Sequence, residues 1–254
     1  MAVRLDMVCW RPLKNYHKGI TLNTTFVQII QEKFEFLIKN YGFALVSTTE
    51  SPGDHQWEGK VIYATSTTYL TAECTRGESP LIHISRVKDN PTPPKILKGT
   101  GLMYLDLIYE YMVLENNERE IVVSMKLEDR EKAEQIAHNA HLNLHSQFLK
   151  IKDYGEQLAA RMSVYGELLR KYAEPFLLGD FSFWVDMHEY SVAKKIAQSV
   201  RSGYINFGFY ENGTLKSYGK KQYEENRMDY LDKLKKHVYR GSLEYIEKLR
   251  SEGQ

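Results

Sequence analysis

One interval limits what this chain can fold into more than any other. From about Lys126 to Phe176, apolar residues keep a helical beat with no proline before Pro175. Steps alternating between three and four residues run through Ala137, His141, Leu144, Phe148, Ile151, Gly155, Leu158, Met162, Tyr165, Leu169, Tyr172 and Phe176. Such steps stay on one seam of a helix. The charged residues Lys150, Asp153, Glu156, Arg161 and Arg170 fall off the seam, so the pattern is amphipathic. Gly155 lies in the middle, and an interior glycine costs about 1 kcal/mol relative to alanine. The stripe therefore admits one long helix or two helices bent near Gly155. Either form must bury its apolar face, against the rest of the chain or against a second copy. Leu144, Phe148, Ile151, Leu158, Met162, Tyr165, Leu169 and Tyr172 are accordingly candidate interface residues, for a homo-oligomer or for another protein.

The residues before this spine read differently. Thr24 or Thr25 can cap a helix whose apolar face is Phe26, Ile29, Ile30, Phe34, Leu37 and Ile38, and Gly42 can close it in the left-handed conformation. A strand follows from Phe43 to Val46, then a polar loop over 47–58. Further strands are expected near 60–65, 69–74 and 81–87, separated by turn-forming Ser-Thr-Thr and Arg-Gly-Glu-Ser-Pro segments. Three of the seven prolines fall between Asp89 and Pro94, marking a break. Leu102, Leu105, Ile108, Tyr109 and Met112 then fit a helix, and Ile121 to Met125 a strand. Beyond the spine, a helix is expected over about 185–202, opened by Asp180 or Ser182. A hairpin turning on Asn212-Gly213 and a last helix over about 221–249 complete the chain.

These elements add up to an α+β fold: an N-terminal helix packed on an antiparallel β-meander, followed by a mainly α-helical C-terminal half with a long amphipathic helix or helix pair. The division falls near residue 125, giving parts 1–125 and 126–254 that are either two units or one domain. At 254 residues the chain is long enough for a sizeable core. The formal charge of +1 supplies no strong steering field, and no apolar run approaches the length needed to span a membrane. With no signal-peptide pattern at the start, the expectation is a soluble cytoplasmic protein without membrane association. Cys9 and Cys74 are far apart, in no metal-ligand spacing, and read as reduced thiols.

Three groups of residues carry chemistry worth testing. Glu134, His138, His141 and His145 are spaced by four, three and four, which places them on one narrow helix face and offers metal ligands. Seven residues of helix already span about 10 Å along its axis, so two or three of the group at most can share one ion. A half-exposed histidine face is the simpler use of the same pattern. Asp186, His188 and Glu189 place acid beside imidazole, but no nucleophile accompanies them and an exposed acidic first turn accounts for them. His83, between Ile82 and Ile84, should point away from their face. Between Lys216 and Arg250 basic residues outnumber acidic ones; Lys220, Lys221, Lys233, Lys235, Lys236 and Arg240, with aromatic residues such as Tyr204 and Phe207 nearby, suit contacts to phosphates and bases. The acids interleaved among them suit a solvated helix equally well. Phosphate-binding loops, dinucleotide fingerprints, hydrolase elbows, zinc-protease motifs and kinase motifs are missing, which lowers the prior for the common enzyme classes and leaves no cofactor implied.

The segment Phe34-Glu35-Phe36-Leu37-Ile38-Lys39-Asn40-Tyr41-Gly42-Phe43, followed by Val61-Ile62-Tyr63 and Leu81-Ile82-His83-Ile84-Ser85-Arg86, resembles a pattern in small uncharacterised bacterial α+β proteins, some described as immunity or toxin-system proteins. The resemblance covers about residues 26–87. It implies a helix-to-strand corner, a meander and a role in binding a protein partner, and it brings no catalytic residue. The leading expectation is a non-enzymatic protein-binding module, with a nucleic-acid-binding protein and a metal-dependent enzyme as the alternatives.

Overall fold

The computed structural model describes residues 25–50, 58–75, 79–90, 101–146, 150–202, 209–211, 214–216, 231–232, 235–236 and 239–252, with the backbone alone at 143, 145, 202, 209–211 and 214–216. The chain is α+β, with a helix pair, a five-stranded antiparallel sheet and a helical C-terminal half. Helix α1 (Phe26–Lys33) opens on a capping box: the Thr25 hydroxyl accepts from the Gln28 amide, and the Gln28 side chain accepts from the Thr25 amide. A break at Phe34 separates it from α2 (Glu35–Tyr41). The expected single helix is thus two, and the change of direction turns Ile38 outward to 47% exposure while Leu37 stays buried. Gly42 closes α2 at φ 68°, in the left-handed conformation expected of it.

Strands β1 (Ala44–Glu50), β2 (Gly59–Ala64), β3 (Thr68–Cys74), β4 (Leu81–Arg86) and β5 (Leu102–Tyr104) pair in sequence order, each antiparallel to the next. β1 is longer than expected, running to Glu50 through residues that read as loop, and carries a bulge between Leu45 and Ser47. Alternation divides the sheet cleanly. Val61, Tyr63, Leu70, Ala72, Ile82, Ile84 and Met103 face the helices and are buried. Ile62, Thr71 and His83 occupy the opposite face, so His83 does point away from its isoleucine neighbours.

Helix α3 (Leu105–Val113) follows β5 directly, where a single helix from Leu102 was expected. Residues 121–125 are not a strand: α4 (Asn116–Val123) is helical despite its β-branched end. Its geometry is fixed at both ends. The Glu115 amide donates to the Glu118 carboxylate, and the buried Arg201 guanidinium donates to the carbonyls of Ile121, Val122 and Ser124. Val122 packs with Leu114 and Tyr190, and this tertiary burial overrides strand propensity.

The spine resolves into α5 (Arg130–His145), α6 (Tyr154–Tyr172) and the short α7 (Glu174–Leu177). The break precedes Gly155, where the Asp153 side chain accepts from the Glu156 amide and caps α6. Gly155 itself lies buried within α6. α6 packs against the first helix pair at Gly166, where a Cβ would make ordinary van der Waals contact with the Lys33 carbonyl at 3.5 Å and the Phe36 ring at 3.4 Å. α8 (Trp184–Ser202) begins where expected. β6 (Phe209–Glu211) and β7 (Thr214–Lys216) pair antiparallel with Glu211 opposite Thr214, while the expected turn residues Asn212 and Gly213 lie outside those described. Of the expected last helix, α9 (Arg240–Ser251) is observed; residues 221–230 lie outside those described. One buried cluster runs from Phe26 through Tyr63, Met162 and Trp184 to Leu249, so the two halves share a core. Among the described residues no helix is long and apolar enough to cross a membrane.

Candidate functional site

The apolar stripe is consumed inside the chain. Leu144, Leu158, Met162, Tyr165 and Leu169 are buried in the common core, while Ile151 and Tyr172 are half-buried, the latter with its ring 5.3 Å from Tyr109. Phe148 lies outside the described residues. As an interface these side chains are already occupied, because exposing them to a second molecule would open the core; the stripe's partner is the rest of the chain.

The proposed metal face does not assemble. Glu134 is half-buried and accepts from Arg130 at 3.0 Å, His138 and His141 are exposed, and the His145 side chain is not among those described. Among the described residues no three His, Cys, Asp or Glu side chains come together to hold an ion. A straight helix spreads such a row along its axis, and among the described residues no neighbouring element brings further ligands. His141 instead acts electrostatically on the half-buried Asp106, which also interacts with Tyr165 and Arg161; desolvation raises the Asp106 pKa despite these partners. Of the basic candidates, Lys235 and Lys236 are exposed, and Arg240 is exposed but paired with Glu244 at 2.7 Å. Lys220, Lys221 and Lys233 lie outside the described residues.

Two groups that looked ordinary in the sequence are buried. His188 is not in an exposed acidic turn: it is 8% exposed, edge-on between the rings of Trp184 and Tyr245 at 5.0 Å from each. Burial, with the Arg86 cation nearby, lowers its pKa to about 4. His83 is 1% exposed, and neither ring nitrogen has a hydrogen-bond partner. Burial and the Lys60 ammonium lower its pKa to about 3, so the ring is neutral at physiological pH. Directly across the ladder, Thr71 is equally buried and its hydroxyl is also unpartnered.

These orphaned groups belong to a polar row on the sheet face away from the helices. Lys60 and Glu73 are cross-strand partners, 3.5 Å apart. Glu73 and Thr71 alternate on β3, Thr71 faces His83, and His83 faces Tyr104, whose ring meets it edge-on at 5.9 Å. Burial and the Glu73 charge raise the Tyr104 pKa. At one end the row opens into a cleft of about 340 Å³ lined by Thr49, Glu50, Glu58, Gly59, Lys60, Glu73, Cys74 and Thr75. The Glu58 Oε1 atom is buried there without a hydrogen-bond partner.

The cleft adjoins the sheet's free edge. All seven residues of β1 are exposed, and its outer side is unpaired among the described residues. Leu45 and Val46 are 40% and 46% exposed. Edge strands of ordinary proteins are shortened, charged or covered; β1 is long and carries one charge, Glu50, held by the Thr25 hydroxyl at 2.5 Å. Sequence reasoning missed this site because a Ser-Thr-Thr run reads as loop. The alternation Tyr69, Thr71, Glu73 on β3 was the available signal for the polar row.

Comparison of the chain with protein-family models, with curated proteins and with solved structures finds no match in any of the three.

Proposed function

We propose that this chain is a non-enzymatic, cytoplasmic protein-binding module that takes an extended segment of a partner protein on the outer edge of β1. The observation that carries the reading is the exposure of all seven β1 residues along an unpaired edge, with Leu45 and Val46 uncovered. An added strand gains main-chain hydrogen bonds from such an edge and specificity from alternate side chains. The burial of the stripe within the core leaves β1 as the better-supported docking surface. The resemblance of residues 26–87 to small uncharacterised bacterial α+β proteins, some described as immunity or toxin-system proteins, supports a bacterial defence setting.

The test is affinity purification of the tagged protein from its native host, with half the lysate nuclease-treated, followed by mass spectrometry. A protein partner retained through nuclease, and lost at least tenfold when Leu45→Lys and Val46→Lys are combined, is the expected result. Both side chains are exposed, so the fold should tolerate the change. Retention indifferent to it would sink the β1 reading. Co-eluting nucleic acid that vanishes on nuclease treatment would favour the basic C-terminal residues instead.

A further inference from the structure

We propose that the cleft at the end of β1 receives a basic side chain, lysine or arginine, from the segment docked on that strand. The inference rests on the docking reading above and specifies the partner's chemistry. Thr49 and Glu50, the last two residues of β1, are part of the cleft wall, so a segment laid along the edge passes its mouth. Around that mouth stand three carboxylates, Glu50, Glu58 and Glu73, against one ammonium, Lys60. Lys60 is engaged by Glu73, and Glu50 by Thr25, whereas the Glu58 Oε1 atom is buried with nothing to accept from among the described residues.

An unpartnered buried oxygen is costly, and a charged donor is what relieves it most. Further along the same face, Thr71 and His83 add a hydroxyl and an imidazole, each 1% exposed and unpartnered. Neither lines the cleft and both are closed to solvent, so they are its uncharged surroundings and not its contacts. An acidic or purely apolar side chain would leave the Glu58 oxygen unmet.

The experiment pans a displayed library of random decapeptides against the full chain, then synthesises one retained peptide and measures its affinity. Expected are peptides sharing a lysine or arginine at one position, with affinity falling about tenfold for Glu58→Gln. The same loss should follow when the peptide's basic residue becomes methionine, a change that leaves the protein untouched. Peptides lost on Leu45→Lys with Val46→Lys, but showing no basic preference and no response to Glu58→Gln, would overturn the cleft inference and leave β1 docking intact. Peptides indifferent to the β1 change would remove the docking reading, and the cleft inference with it.

Discussion

Arg86 and His83 lie three residues apart on β4, on opposite faces of the sheet, and each is 1% exposed. Their surroundings are opposites. Arg86 donates to Asp89 at 2.5 and 2.9 Å, Tyr245 donates to Asp89 at 2.6 Å, and Trp184 donates to the Tyr245 hydroxyl at 3.0 Å. Lys248 and Glu252 complete the group from α9. Burial alone would raise the Asp89 pKa, but the Arg86 and Tyr245 hydrogen bonds outweigh it and hold the carboxyl below its usual range. His83 has no hydrogen-bond partner for either nitrogen. Burial by itself therefore does not separate a structural polar group from a functional one. The charged groups do differ: Arg86, paired with Asp89, fixes α9 to the sheet, although the His188 Nε2 beside that network is, like both His83 nitrogens, buried without a hydrogen-bond partner among the described residues.

The largest effect expected from this contrast is on the satisfied side. Asp89→Ala removes the carboxylate and leaves the Arg86 guanidinium buried without its main counter-charge. Breaking such a pair costs about 3–5 kcal/mol, read as a lower denaturation midpoint at unchanged slope. A change below about 1 kcal/mol would show that the cluster is hydrated and that the contrast with His83 is overstated.

Next in size is acidification, which touches both regions. Each histidine has a folded pKa below its usual 6.5, to about 3 for His83 and about 4 for His188. The unfolded chain then binds more protons as pH falls through 6.5, so stability is full above that value and declines below it. The slope is about 1.4 kcal/mol per pH unit for each histidine. His188 stops contributing near pH 4 and His83 near pH 3. Denaturation curves at pH 7, 5.5 and 4.5 check this, and His188→Gln should roughly halve the loss. An unchanged pH profile in that variant would mean that His188 is protonated without cost.

How much of this was legible in the sequence depends on the range of the interaction. Local signals held: Thr25 as a cap, Gly42 in its left-handed turn, the β3–β4 alternation and the β6–β7 pairing all depend on residues a few positions apart. The misreadings share one cause. Residues 121–123 are helical because Arg201, far along the chain, takes their carbonyls, and His188 is buried because Tyr245 covers it. The histidine row on α5 was a true face, but coordination needs ligands from a second element, which period alone cannot supply. Of the polar row, His83's orientation was readable from alternation. The meeting of Glu58 with Glu73 was not, since it is set by where β2 begins and β3 ends.

The smallest expected effect is the most diagnostic for the orphaned side. Replacing Thr71 by valine keeps the side-chain shape and removes a buried hydroxyl that has no partner. Where a hydroxyl is hydrogen-bonded, the same change typically costs about 1 kcal/mol; where it is orphaned, removing it is neutral or stabilising by about that amount. Thr71→Val is therefore expected to leave the denaturation midpoint unchanged or raise it. A gain would mark Thr71 as a polar group that the fold does not need. A loss of about 1 kcal/mol or more would place a hydrogen-bonding water on Thr71, and would put that residue with Arg86 among the groups that hold the molecule together.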